Sequence, residues 1–443
     1  MPGRSATDPK VACARLREVM VDPRRFTTDE EVLSGYLEPG ARGDGLVAAV
    51  YPRSAEDIHQ VLDIARTYGL AVYTPIPWGL KPPRPGVVLD YEYMADVKAV
   101  DTRNLFLEVE PGVTWEQVLP ALAAEGVKIA LPAAAHSPYV LESAMERDVV
   151  LPACRFSNKQ FATFHAVLAD GREYRSGSDA LPNSVAHWRE DGGPNISRVF
   201  TGSRNSFGLP TRGFIYLYPE PEERKVVCRG LANRRQACRL AQRAARSEIG
   251  TEVVILNRLK ARETLGEDPG LATWNVVLGL EGSARLVAHQ EKRLGGLASE
   301  LKLTPKAGGK KLAEAFSESL GRPWYAPPVS FGFYTDFDRV ETLCEKAEAA
   351  LAGARTAQML IPVKRGASVY VQYDIPGASA EVAKKVKRLL PRLADAGAFF
   401  NNPTLSLASH IFAKQPAYLE LVKDLKRFMD PEDLLNCGQV VEV

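Results

Sequence analysis

Leu46-Val47-Ala48-Ala49-Val50-Tyr51, then Pro52-Arg53-Ser54, then Ala55, Ile58, Val61, Leu62 and Ala65, form the stretch whose reading decides the fold. A short apolar run reads as a buried strand, and apolar residues recurring every three or four positions read as one face of a helix. Ser54 is suited to cap that helix, and Gly69 stands where a helix end needs a residue tolerant of positive φ. Leu70-Ala71-Val72-Tyr73 then resumes as a strand. Strand, helix, strand demands a right-handed crossover, hence a small sheet with a helix on its face.

Working outward, Val87-Val88-Leu89 and Val97-Lys98-Ala99-Val100 precede Leu105-Phe106-Leu107-Glu108-Val109, which Pro111-Gly112 breaks. Thr114 can cap a helix with the apolar face Val118, Leu119, Leu122 and Ala123. Phe164 to Ala169, the Asp170-Gly171 turn and Arg172 to Arg175 carry the strongest hairpin signal in the chain. Phe214 to Tyr218 closes this region as a strand. Past Pro221 the pattern changes: strands at 253–256, 274–280, 329–334 and 368–373 interleave with helices near 234–247, 284–302, 337–352 and 379–396. That reads as a second α+β domain, its sheet covered by helices on one face and lining a pocket or interface with the other.

A length of 443 residues favours two domains over one. The 45% apolar and 25% charged composition is that of an ordinary globular protein, and the net charge of +2 argues against nucleic acid as a partner. The basic stretch Arg229 to Arg246 carries apolar residues at helical spacing and reads as a solvated amphipathic helix. Six scattered cysteines form no metal-ligand spacing, so no metal site is expected. The polar, proline-interrupted residues 1–25 do not read as a signal peptide or a membrane span, and a cytoplasmic location is the expectation.

Four segments, in order, resemble the FAD-linked oxidase superfamily. They are Val50 to Ile58, Gly86 to Met94 with Leu107 to Thr114, the set from Ala144-Met145-Glu146-Arg147 through Asn205 to Leu209, and Met429 to Gly438. The third set is similar to the vanillyl-alcohol oxidase and 4-cresol dehydrogenase branch. The resemblance implies an α+β protein with a two-subdomain FAD-binding fold: residues 1–221 and 397–443 as the FAD-type domain, and 222–396 as a cap. It also implies an oxidoreductase that moves a hydride from a small organic substrate to flavin N5, in a homo-oligomer or a hetero-oligomer with an electron-transfer subunit.

By the same resemblance Trp78, Gly79, Leu80, Lys81, Pro111, Gly112, Ser143, Arg147, Gly208 and Leu209 take the places of FAD contacts. The sequence departs from the pattern at three places. The phosphate loop Thr74 to Gly86 holds five prolines, which donate no N–H. Glu142 and Ser143 replace a pair of small residues. Phe399-Phe400-Asn401-Asn402 stands where a Tyr-Arg pair would hold a phenolate. Candidate catalytic groups are therefore His136, His410 and Asn401, with Trp324, Tyr325, Tyr370 and Tyr373 as possible pocket walls. These departures leave a second reading open, a flavin-free relative serving as a structural or regulatory subunit of a dehydrogenase complex.

Overall fold

A computed structural model describes residues 9–38, 45–77, 79–153, 161–181, 183–186, 191–267, 270–403 and 405–439. The opening stretch forms strand Leu46–Val50, helix Ala55–Thr67 and strand Ala71–Tyr73. Ser54 Oγ accepts the Asp57 amide at 3.2 Å, and Ile58, Val61, Leu62 and Ala65 are the buried face, as the periodicity predicts. Strand Gly86–Leu89 inserts between the other two, parallel to both, while Phe26–Thr27 pairs antiparallel on the outer edge.

The second sheet runs in the order Val97–Asp101, Phe106–Val109, Leu209–Pro219, Phe161–Val167, Glu173–Arg175. Strand Val127–Ile129 pairs with the far half of Leu209–Pro219. The Asp170-Gly171 hairpin is present: Gly171 has φ 85° and its N–H reaches Leu168 O at 2.9 Å.

A seven-stranded antiparallel sheet makes the part of the chain expected as a cap, ordered Lys306–Ala307, Glu223–Leu231, Trp274–Gly282, Glu252–Asn257, Ala357–Val363, Ser368–Asp374, Ser330–Thr335. Val253, Ile255, Val276, Leu278, Leu360 and Val371 point toward helices Arg234–Arg246, Ala284–Glu300, Val340–Ala350 and Ala380–Asp395. The alternate residues Val254, Leu256, Val277, Met359 and Ile361 share one core with Trp115, Leu141 and Phe164 of the first part. This sheet is thus buried on both faces, which explains why its strands alternate so weakly.

One expectation is corrected in detail. Residues Arg229 to Leu231 end strand Glu223–Leu231, so the amphipathic helix starts only at Arg234, capped by Asn233. Helices Lys310–Leu320, Leu405–Phe412 and Pro416–Met429 had no reading in the sequence.

The end of the chain returns to the first sheet. Val72 N donates to Leu434 O at 2.7 Å and Asn436 N to Val72 O at 2.8 Å, which extends the edge strand Ala71–Tyr73. Among the described residues no helix is long and apolar enough to cross a membrane.

Candidate functional site

The loop from Leu131 to Val149 carries the short helix Val140–Met145 and runs between the second sheet and the cap. It is stitched on both sides: Ala133 N to Val149 O at 2.8 Å within the loop, and Ala135 N to Trp324 O at 2.8 Å across to the cap. Opposite it stands strand Ser330–Thr335, where Tyr334 and Phe399 exchange backbone hydrogen bonds of 2.7 and 2.9 Å. Between them lies a cavity of about 150 Å³, bounded by Thr74 to Pro77 at one end and by Tyr334, Tyr370 and Phe400 at the other.

Three carboxyl groups line this cavity, Glu142, Glu146 and Asp148. Ser137 Oγ donates to Glu142 at 2.6 Å, Ser143 Oγ to Asp148 at 2.8 Å, and the Arg204 amide to Glu146 at 2.9 Å. One such bond does not replace the water that burial removes, so the neutral acid is favoured. Burial pushes the Glu142 carboxyl up to about 8 and Asp148 up to about 7, and raises Glu146 as well; the carboxyls also repel one another. In the neutral form each presents an O–H donor to the cavity.

Basic and amide groups face the acids. Arg147 adopts φ 58°, and Arg204 and Asn205 follow at φ 51° and 56°. Asn401 Nδ2 donates to Arg147 O at 3.3 Å, and Asn402 Nδ2 donates to Glu146 O. The returning segment is thereby tied to the turn that bears the carboxyls. His136 also lines the cavity, and burial lowers its pKa so that the neutral imidazole is favoured. Arg147 Nε and Asn402 Oδ1 are buried without a hydrogen-bond partner.

Of the sequence candidates, His136, Ser143, Arg147, Asn401 and Tyr370 come together here. His410 does not: its ring lies 2.8 Å from Asp395 on the surface side of helix Leu405–Phe412, away from the cavity. Tyr373 stacks on Phe331 inside the cap core, Trp324 donates to Ser319 O, and Tyr325 is exposed. Arg204, Asn205 and Tyr334 were not anticipated. Their approach depends on left-handed turns and a cap strand register that carry no local signal in the sequence.

The remaining cofactor candidates lie as follows. Gly79, at φ 83°, lies so close to the chain at Leu37 and Glu38 that a Cβ would stand 2.4 Å from the Glu38 nitrogen. Leu80 is buried and bridged to Leu37, whereas Lys81 is exposed. A Cβ on Gly112 would stand 2.0 Å from Tyr91 O, and Pro111 beside it is buried. Gly208 packs on Phe200, and Leu209 pairs with Val167. Trp78 falls outside the described residues.

Residues 47–177 match the FAD binding domain family. The structure has the fold of p-cresol methylhydroxylase, known from a crystal structure with substrate bound, at a TM-score of 0.84 and 17% identity over 98% of this chain and 97% of that one. In sequence the chain is 24% identical to glycolate oxidase subunit GlcD of Bacillus subtilis (strain 168) over 188 residues, 41% of this chain and 38% of that protein. It is 25% identical to the 4-cresol dehydrogenase [hydroxylating] flavoprotein subunit of Pseudomonas putida over 187 residues, 39% of this chain and 35% of that protein. These matches span about two fifths of each relative's length.

The family and the flavoprotein neighbours point to FAD. A dinucleotide needs aligned N–H donors for its diphosphate and room for three fused rings. Here Thr74 N donates to Asn436 Oδ1 at 2.8 Å, Gly79 N to Ile76 O at 3.0 Å and Leu80 N to Tyr36 O at 2.7 Å. Pro75, Pro77, Pro82, Pro83 and Pro85 have no N–H to give. A cavity of about 150 Å³ is the size that holds one benzene ring. In this arrangement the residues do not fit the dinucleotide as a family of its kind would hold it.

Proposed function

We propose that this chain is a component of an FAD-linked oxidoreductase acting on a small organic substrate, and that the substrate binds in the cavity beneath the cap. One observation carries the reading: segments far apart in the sequence converge on a single-ring-sized cavity with unpaired polar atoms in its wall. A ligand with one ring and a polar substituent would satisfy Arg147 Nε and Asn402 Oδ1 while packing on Tyr334, Tyr370 and Phe400. The resemblance implies hydride transfer to flavin N5; no residue here is assigned to that step.

The protein's own residues would bind the substrate and hold its protons. Neutral Glu142 and Asp148 donate hydrogen bonds, Arg147 attracts an anionic substituent, and His136 is placed to accept a proton. Names of the relatives supply two substrate types to try first, a 2-hydroxy acid and a cresol. Calorimetric titration of the purified chain with compounds of both types is the test. Arg147→Met should weaken binding of an acidic ligand about tenfold or more, as loss of a charged hydrogen bond does. If no single-ring or hydroxy-acid ligand binds, and Arg147→Met changes nothing, the reading fails.

The second reading is a flavin-free companion within a dehydrogenase complex, for which the engaged amides of Thr74, Gly79 and Leu80 speak. Two of the relatives are themselves described as subunits. Co-purification of the chain with a flavoprotein, with activity only in the mixture, would support it.

A further inference from the structure

The segment Tyr36-Leu37-Glu38 reaches across the loop that follows strand Ala71–Tyr73. Its hydrogen bonds form a two-sided bridge: Leu80 N to Tyr36 O at 2.7 Å and Glu38 N to Leu80 O at 2.9 Å. The segment is firmly seated. Leu37 is buried in a cluster with Leu33, Leu46, Tyr73, Leu80 and Cys437. Tyr36 Oη donates to Asp90 at 2.8 Å and meets Tyr51 Oη at 3.3 Å.

The start of the loop is bound from the other end of the chain. Asn436 accepts from the Thr74 amide and donates through Nδ2 to Thr74 Oγ1 at 3.1 Å, and Asn205 Nδ2 donates to the same hydroxyl at 3.2 Å. Thr74 is buried. At the far end, Arg84 Nη2 donates to Glu432 O at 3.2 Å and Asp433 O at 2.5 Å. Its Nη2 is thus engaged by the C-terminal turn.

We infer that the loop from Thr74 to Pro85 is a structural joint between distant parts of the chain, and that its described residues offer no seat for the diphosphate of FAD. Among the described residues of the loop, the amides of Thr74, Gly79 and Leu80 already have carbonyl or amide partners. Gly79 is closed by the backbone of Leu37 and Glu38, so no anion can approach its Cα face.

The inference does not depend on what binds beneath the cap. Purified full-length chain is titrated with ADP, the nucleotide half alone, and with FAD, by calorimetry and by thermal unfolding. Neither should bind: no heat, and no change in midpoint at 1 mM. A dissociation constant of 10 µM would instead raise the midpoint by about 3 °C or more at that concentration. Binding of either, or a stoichiometric flavin on the purified protein, overturns the inference and leaves the substrate reading intact.

Amide hydrogen exchange gives an independent readout. The Thr74, Gly79 and Leu80 amides should be protected at least 100-fold in the free protein. Exchange at the rate of an open loop would overturn the joint. Binding of a single-ring ligand with no ADP binding supports both proposals; no binding of either kind sinks the substrate reading alone.

Discussion

Raising the pH from 6 to 8.5 lowers the thermal stability of this protein, and the double variant Glu142→Gln, Asp148→Asn removes most of that fall. The argument is one of linkage. A carboxyl whose folded-state pKa lies above its unfolded value binds more protons in the fold, so its contribution is complete below the unfolded pKa and is lost as pH rises through the folded one. Glu142 sits at about 8 and Asp148 at about 7, both from ordinary values near 4. Their stabilising protons are therefore shed between about pH 6 and 8.5. The lining of an open-mouthed cavity sees some water, which moderates the effect to about 2 kcal/mol across that window. His136 works in the opposite sense, since its lowered pKa costs stability only as pH falls below its ordinary value. Unfolding scans of both proteins at half-unit pH steps decide the matter. Parallel curves for wild type and double variant would show that these carboxyls are ionised and solvated in the fold. Amides of the same shape keep the bonds from Ser137 and Ser143 open to either orientation, so the comparison isolates charge.

How far the sequence carried this result depends on the range of the interactions. Helix Ala55–Thr67 was legible because its cap, its apolar stripe and its terminal glycine are all within a few residues of one another. The Asp170-Gly171 hairpin was legible for the same reason. The joint around Thr74 was half legible: five prolines announced that a donor-rich loop was missing. They gave no sign that residues 36–38 and 436 would close it, because those partners lie far away in sequence. Glu142 could be marked as a charge in a place suited to glycine. Its grouping with Glu146, Asp148 and Arg204 follows from a left-handed turn at Arg147 and from packing against the cap. His410 illustrates the converse. A histidine in the returning segment is near the cavity in sequence order, yet helix Leu405–Phe412 turns it toward Asp395. Helix Pro416–Met429 escaped the reading because its most buried residue is a lysine, Lys426, and a stripe analysis looks for apolar faces.

Lys426→Met destabilises the protein by about 3–5 kcal/mol, the largest single effect foreseen, although it replaces a charge by an apolar side chain of similar length. The lysine side chain is 3% exposed and the Asp430 side chain 1%. Nζ donates to Asp430 Oδ2 at 2.6 Å, to Ser206 O at 3.0 Å and to Leu435 O at 2.7 Å, which exhausts its three protons. Asp430 in turn accepts the amides of Leu434 and Leu435 at 2.8 Å each. Removing the cation leaves a buried carboxylate without its counter-charge and two carbonyls without a donor, the costly way to break a buried pair. Removing both charges is different, since an apolar pair of matching volume can be nearly neutral. Lys426→Met with Asp430→Leu should therefore lose less than Lys426→Met alone, apart from the two amides that Asp430 satisfied. The exposed contact of Lys414 with Asp395 is the contrast: Asp395→Ala should leave the denaturation midpoint within experimental error. The readout reaches beyond global stability. Leu434 to Asn436 pairs with Val72 and ties down Thr74, so the Lys426→Met protein should expose residues 430–439 to limited proteolysis before the rest of the fold is cut. Equal resistance of this segment in wild type and variant would mean that the strand pairing alone holds the terminus.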